Sequence, residues 1–272
     1  MTAGIRRSEG PAITDAEEPR LDYYLILPET GAPSLRPGWI TVEAGVPSAP
    51  TEGIMVQADA VAVPAEGIVV EEFTLAGDHT AIGLDSAGWT ATDGWWSSAA
   101  FSRGMRTDAR LRARLVAVRR DDAEVVYRRL GGGELPGEAA LRGHFHDHQP
   151  LGGSAPLRLG PERVPDGFRD RRVYRVLFAN DLREDGPPRL RSAWRMALAD
   201  PPARVAGTAH RRVAGDDFTW DLRRIGPGVA WCLDLTACLA SASDDAVRPL
   251  LRELVTVLRH AGLIPVTIER FA

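Results

Sequence analysis

The chain has 272 residues, 44% of them apolar and 26% charged, with a formal net charge of −4. That is the balance of an ordinary globular protein, long enough for one large domain or two small ones. All 33 basic residues are arginine, which excludes Walker A nucleotide hydrolysis, protein kinase phosphoryl transfer, pyridoxal Schiff bases, lysine-dependent aldolases and class A lactamases. No run approaches the ~18 apolar residues that span a bilayer, and net acidity disfavours duplex DNA, so neither is expected as a partner.

Charge is unevenly spread. Residues 1–98 hold four arginines and fifteen acids, a formal −11, and residues 99–272 hold 29 arginines and 22 acids, a formal +7, which together give the −4 of the whole. The split suits either an anionic partner for the basic part or two regions that pack together and neutralise each other.

Met1 to Arg20 is polar and carries Arg6-Arg7 without a following apolar region, so it reads as a disordered leader on a cytoplasmic protein rather than a signal peptide. Residues 21–150 are expected to form a strand-rich α+β unit. Tyr23–Leu27 and Trp39–Val42 read as strands, and Pro50–Val56 is echoed by Pro64–Val70, each a Pro–Glu–Gly turn releasing a β-branched strand. Residues 76–94 read as a long functional loop, Trp95 to Met105 as a short helix with Asp93 near its N-cap, and 109–130 as a hairpin turning at Asp121-Asp122.

Residues 151–170 read as a linker, and 171–272 as a second unit. Arg172–Phe178 is a predicted strand, and Leu190, Ala193, Trp194, Ala197 and Leu198 recur at helical spacing before Asp200-Pro201-Pro202. Strands follow near 203–213 and 217–225, then Val229 to Cys238, apolar enough to be central and covered on both faces. Val247, Leu250, Leu251, Leu254, Leu258 and Ala261 stripe a helix that opens near Ser243-Asp244-Asp245 and ends at Gly262, and Pro265–Ile268 returns as a strand. The order β-α-β-β-β-α-β implies an α+β fold, a mainly antiparallel sheet with helices on one face. Cys232 and Cys238 fall on one face of one strand, too far apart to bond, and read as reduced thiols.

One echo suggests that the two units are related β-α-β-β copies. Asp121-Asp122 precedes Arg128-Arg129-Leu130-Gly131-Gly132-Gly133, and Asp216-Asp217 precedes Arg223-Arg224-Ile225-Gly226-Pro227-Gly228 at the same spacing. A pseudo-duplication would place a site in the seam between the copies.

Three of the six histidines, His144, His146 and His148, alternate within five residues. In an extended segment they project to one side and suit a divalent transition metal, although known His-x-His signatures do not match, and a polar surface loop is the plainer reading. Trp89, Trp95 and Trp96 cluster beside the 76–94 loop with Asp85, either as the wall of a small-molecule pocket or as anchors of the helix. Gly83–Gly88 departs from a serine-nucleophile elbow, and Gly131–Gly137 lacks the parallel context of a dinucleotide fingerprint. The arginine pairs either line a cleft between the copies, ready for carboxylates or phosphates, or stand on solvated strand edges.

Together these features imply a small-molecule enzyme of bacterial secondary metabolism, with a pocket between the duplicated units. His144, His146 and Asp85 are its expected catalytic residues, with the imidazoles as general bases or, as His144, His146 and His148, as metal ligands. The alternatives are a non-catalytic binding or assembly protein that docks partners through its charged faces, and an RNA or single-strand binder. A homo-oligomer is left open.

Overall fold

The structure is a computed structural model that describes residues 20–29, 65–152, 163–195, 205–226 and 230–271. The expected strands at 39–42 and 54–56, the leader before Arg20, half of the 151–170 linker (153–162) and Ala197 to Pro202 lie outside the described residues.

Two antiparallel sheets organise the fold. Sheet A is built from β1 (Asp22–Ile26), β2 (Gly67–Leu75), β3 (Ala81–Thr90), β4 (Gly94–Ser97) and β5 (Leu115–Val118), in the order β4-β3-β2-β1-β5, with β6 (Gln149–Pro150) on the free part of β3. Its helices are α1 (Ala99–Thr107), α2 (Ala109–Ala113), α3 (Arg120–Arg129) and α4 (Glu138–Arg142). Sheet B joins β7 (Asp170–Ala179), β8 (Val205–Val213), β9 (Asp216–Ile225), β10 (Ala230–Leu239) and β11 (Ile264–Arg270), in the order β11-β7-β10-β9-β8, with α5 (Gly186–Trp194) and α6 (Val247–His260). The expected α+β class and the β-α-β-β-β-α-β order of the second half are both present.

In sheet B, alternation assigns the faces. Tyr174, Val176 and Phe178 of β7 pair with Leu235, Leu233 and Trp231 of β10, and Trp220 and Leu222 of β9 continue the row. These side chains bury against Leu190 and Trp194 of α5 and the stripe Val247, Leu250, Leu251, Leu254 and Leu258 of α6. The opposite face of β10 carries Asp234, bonded to Arg175, with Arg223 and Asp221 alongside, and Cys232 and Cys238 as free thiols. β10 is therefore central but not apolar on both sides. Helix α6 begins at Val247 rather than at Asp244, which instead binds Arg172 and His79. It ends as expected: Gly262 has φ +108, and the Gly262 and Leu263 amides donate to the Arg259 and Leu258 carbonyls, a Schellman closure that a residue with a Cβ disfavours.

Sheet A is covered on both faces. Tyr23, Leu25, Ile68, Val70, Ala87 and Trp89 pack against α3 and α4, while Tyr24, Ile26 and Val69 pack against Met105 of α1 and Ile264 of β11. The single helical face expected from the sequence does not describe this sheet.

Three local readings are corrected here. The expected loop at 76–94 is mostly strand β3, and Gly94 (φ +67) turns the chain into β4, so Trp95 pairs with Trp89 on a hairpin and the helix starts later, at Ala99. The expected hairpin at 109–130 is α2, β5 and α3, because Ala123, Val126 and Tyr127 bury at helical spacing. Asp121-Asp122 thus sits in the first turn of a helix and Asp216-Asp217 at the start of a strand. The echo that suggested duplication falls on unlike elements, and the middle three strands run outward through sheet A but inward through sheet B.

Among the described residues, ion pairs join the acidic first region to the basic second one. Asp22 pairs with Arg259, Glu66 with Arg114, Glu71 with Arg106 and Glu72 with Arg142. Among the described residues no helix is long and apolar enough to cross a membrane.

Candidate functional site

The histidine segment leaves α4 through a turn and is not a strand until β6, where Gln149 and Pro150 pair with Leu84 and Gly83. Phe145 packs, partly buried, against the apolar layer beneath α3. His144 stacks on Trp95, with ring centroids 5.0 Å apart and planes 9° from parallel. His146 is exposed. His148 reaches β3, where its Nδ1 lies 2.9 Å from Asp85 Oδ1. Thr74 Oγ1 donates to the other carboxylate oxygen at 2.7 Å. The three imidazoles therefore have separate surroundings, and among the described residues no group of three or more His, Cys, Asp or Glu side chains is placed to hold a metal ion.

The structure does bring His148 to Asp85 and His144 to Trp95, so much of the expected constellation shares one region of sheet A. Gly83 makes this possible, since a Cβ there would lie 2.0 Å from His148 Cε1. Ser97 Oγ donates to Asp147 at 2.6 Å and ties the same segment to β4. Thr74–Asp85–His148 can orient an imidazole as a proton acceptor, but His148 is half exposed, 49% by side chain. Ser86, on the opposite side of β3 from Asp85, is buried inside the strand rather than raised on an elbow.

The tryptophans do not form a common wall. Trp89 packs on Tyr127 (centroids 4.4 Å apart), and Trp95 closes over the same ring at 5.9 Å. Adjacent strand residues face opposite sides, so Trp96 lies on the other face, over Gly88 and edge-on to Phe101. They serve as packing between layers.

The seam between the sheets is organised by two arginines the sequence does not single out. Arg259, 3% exposed, donates to Asp22 Oδ1 at 2.6 Å, the Tyr24 hydroxyl at 3.0 Å and the Tyr23 carbonyl at 3.1 Å. Arg106 grips both oxygens of Glu71, at 3.1 and 3.0 Å, and its Nε donates to the Pro265 carbonyl at 2.9 Å. Burial pushes the Asp22 carboxyl above its ordinary range against the pull of Arg259 and Arg252. It also lifts the Tyr24 phenol to about 12, so that hydroxyl stays protonated.

Beside Arg259 lies a cavity of about 260 Å³ lined by Tyr24, Arg112, Ala113, Leu115, Val116, Ala117, Asn180, Arg183, Arg259, Gly262, Leu263 and Ile264. Three consecutive residues of β5 line it although strand side chains alternate, so its wall there is the edge of the strand. β5 ends sheet A and β11 ends sheet B, so the cavity occupies the gap between two sheet edges. The 180–183 loop closes it: Asn180 Nδ2 donates to the Gly262 carbonyl at 2.9 Å and the Arg183 amide to the Ala261 carbonyl at 2.9 Å. None of the six histidines lines this cavity.

Comparison with known proteins finds no matching family model, no matching curated protein and no matching solved structure.

Proposed function

We propose that the protein binds a small molecule in the cavity between the edges of its two sheets. The observation that carries this reading is the position of the cavity, where β5, the 180–183 loop and the turn into β11 meet beside a buried arginine. Clefts between packed units, lined by apolar groups with a few convergent polar ones, are where small ligands usually bind. At about 260 Å³ the space lies just below the ~300–1,000 Å³ usual for drug-sized ligands, so the ligand is compact.

Thermal-shift screening of compact metabolites tests this. A ligand held at a hundred times its Kd adds about 2.7 kcal/mol, a rise in Tm of about 5–10 °C at this chain length. Ala113 is exposed and lines the cavity, so Ala113→Trp should leave the Tm of the free protein near wild type while abolishing the ligand-induced rise. A rise of the same size in both proteins would place the ligand elsewhere.

A second reading, an enzyme that uses His148 as general base, is favoured by the Thr74–Asp85–His148 chain of hydrogen bonds. On that reading a bound ligand protects β3 and the 144–150 segment instead of the seam.

A further inference from the structure

The charge of the cavity wall says more about the ligand than its shape does. Three arginines, Arg112, Arg183 and Arg259, line it, and no Asp or Glu does. Arg259 is already paired with Asp22 and bonded to Tyr24 and the Tyr23 carbonyl, so it forms a fixed back wall. The other two differ. Arg112 donates one hydrogen bond, to the Arg106 carbonyl at 3.0 Å, and among the described residues it makes no ion pair. Arg183 has as its nearest acid Asp185, at 3.8 Å from Nε, beyond hydrogen-bonding distance.

Arg183 is also held in place. A Cβ at Gly262 would come within 2.5 Å of Arg183 Cγ, so the arginine stem lies across the glycine that closes α6. The position needs glycine twice, for its positive φ and for this close approach. The rest of the lining mixes apolar residues, Leu115, Ala117, Leu263 and Ile264 among them, with Tyr24 and Asn180. Both side chains are partly exposed, so solvent meets their charge in the free protein, and the absence of a hydrogen-bonded carboxylate leaves both guanidinium forks open to an anion.

We propose, resting on the reading of the seam cavity as the ligand site, that the ligand is a compact organic anion. Its carboxylate or phosphate is held by Arg112 and Arg183, and its apolar body lies against Leu115, Leu263 and Ile264. Guanidinium forks suit either group, since both present paired oxygens to parallel N–H donors.

The test is calorimetric titration of the full chain with benzoate, phenyl phosphate, inorganic phosphate and neutral benzamide. Benzoate or phenyl phosphate should bind, with benzamide at least about tenfold weaker and affinity falling as salt is added. The stronger of the two anions names the headgroup. Arg112→Gln and Arg183→Gln should each weaken binding about 10- to 100-fold. Neither should lower the Tm of the free protein by more than about 4 °C, since the single Arg112 hydrogen bond and the long Arg183–Asp185 contact are offset by removing a cation from a like-charged cluster. A larger loss would mark a structural role and overturn the assignment. Benzamide binding as well as benzoate, and lost in Ala113→Trp, would keep the cavity as the site and refute the anion. Anion binding unchanged in both glutamine variants would refute the assigned residues. No binding of any probe at millimolar concentration would refute the proposed ligand class, while the screen of compact metabolites would still decide the cavity reading.

Discussion

Replacing Arg259 with methionine is expected to destabilise the fold by about 3–5 kcal/mol, the usual result of removing one partner of a buried ion pair. For a protein of ordinary stability, about 5–15 kcal/mol, that is a third or more of the total. The loss arises because Asp22, the Tyr24 hydroxyl and the Tyr23 carbonyl all take their hydrogen bonds from this one side chain, and methionine fills the space without replacing a donor. Asp22 is already raised by burial, and losing Arg259 removes the largest pull against it, leaving those of Arg252 and Arg106. A carboxyl with a higher pKa folded than unfolded binds its proton more tightly when folded. The variant therefore regains stability as the pH falls through that raised pKa, and loses it again as the pH rises. Chemical denaturation at neutral and mildly acidic pH measures both effects. The double variant Arg259→Met with Asp22→Asn should recover part of the loss, since no buried charge is then left alone. A single-variant effect below about 1 kcal/mol, in the range of an exposed pair, would show that the network does not hold the seam.

Phe178→Ala is the second large effect, expected at about 3–5 kcal/mol for a fully enclosed aromatic ring. Phe178 is 1% exposed in the layer between sheet B and its helices. The informative part is cooperativity. Sheet B's β11 supplies Ile264 to the core of sheet A, Arg106 of α1 bonds Pro265, and His79 of the β2–β3 turn meets Asp244 at 3.1 Å. With the halves joined at these points, destabilising one should lower a single shared transition. Hydrogen exchange under mild denaturant should show sheets A and B opening together; sheet A surviving intact would mean that the seam is a weak joint.

The second half was legible because its signals were local and redundant. The α6 stripe, Gly262 as its stop and the alternating β7 and β9 each specify their element without knowledge of the rest. The first half misled where one pattern served two periods. Leu111, Ala113, Leu115 and Ala117 alternate like one long strand, yet only Leu115 and Ala117 lie in one. Gly83 and Gly88 read as loop residues, but inside β3 they leave room for the rings of His148 and Trp96. The pattern points to Asp85 and His148, which the fold joins, and to His146, which lies exposed. Arg112, Arg183 and Arg259 were not, because among 33 arginines nothing in spacing separates a guanidinium that faces a cavity from one on a solvated edge. That distinction depends on which strands become sheet edges and meet, a property of tertiary structure alone.

Amide hydrogen exchange with and without the best ligand from the screen locates the ligand. A ligand in the seam adds protection in 112–117, 180–183 and 262–264, with little change in 83–90 and 144–150. Protection in 83–90 and 144–150 with none at the seam would contradict it and move the site to Asp85 and His148.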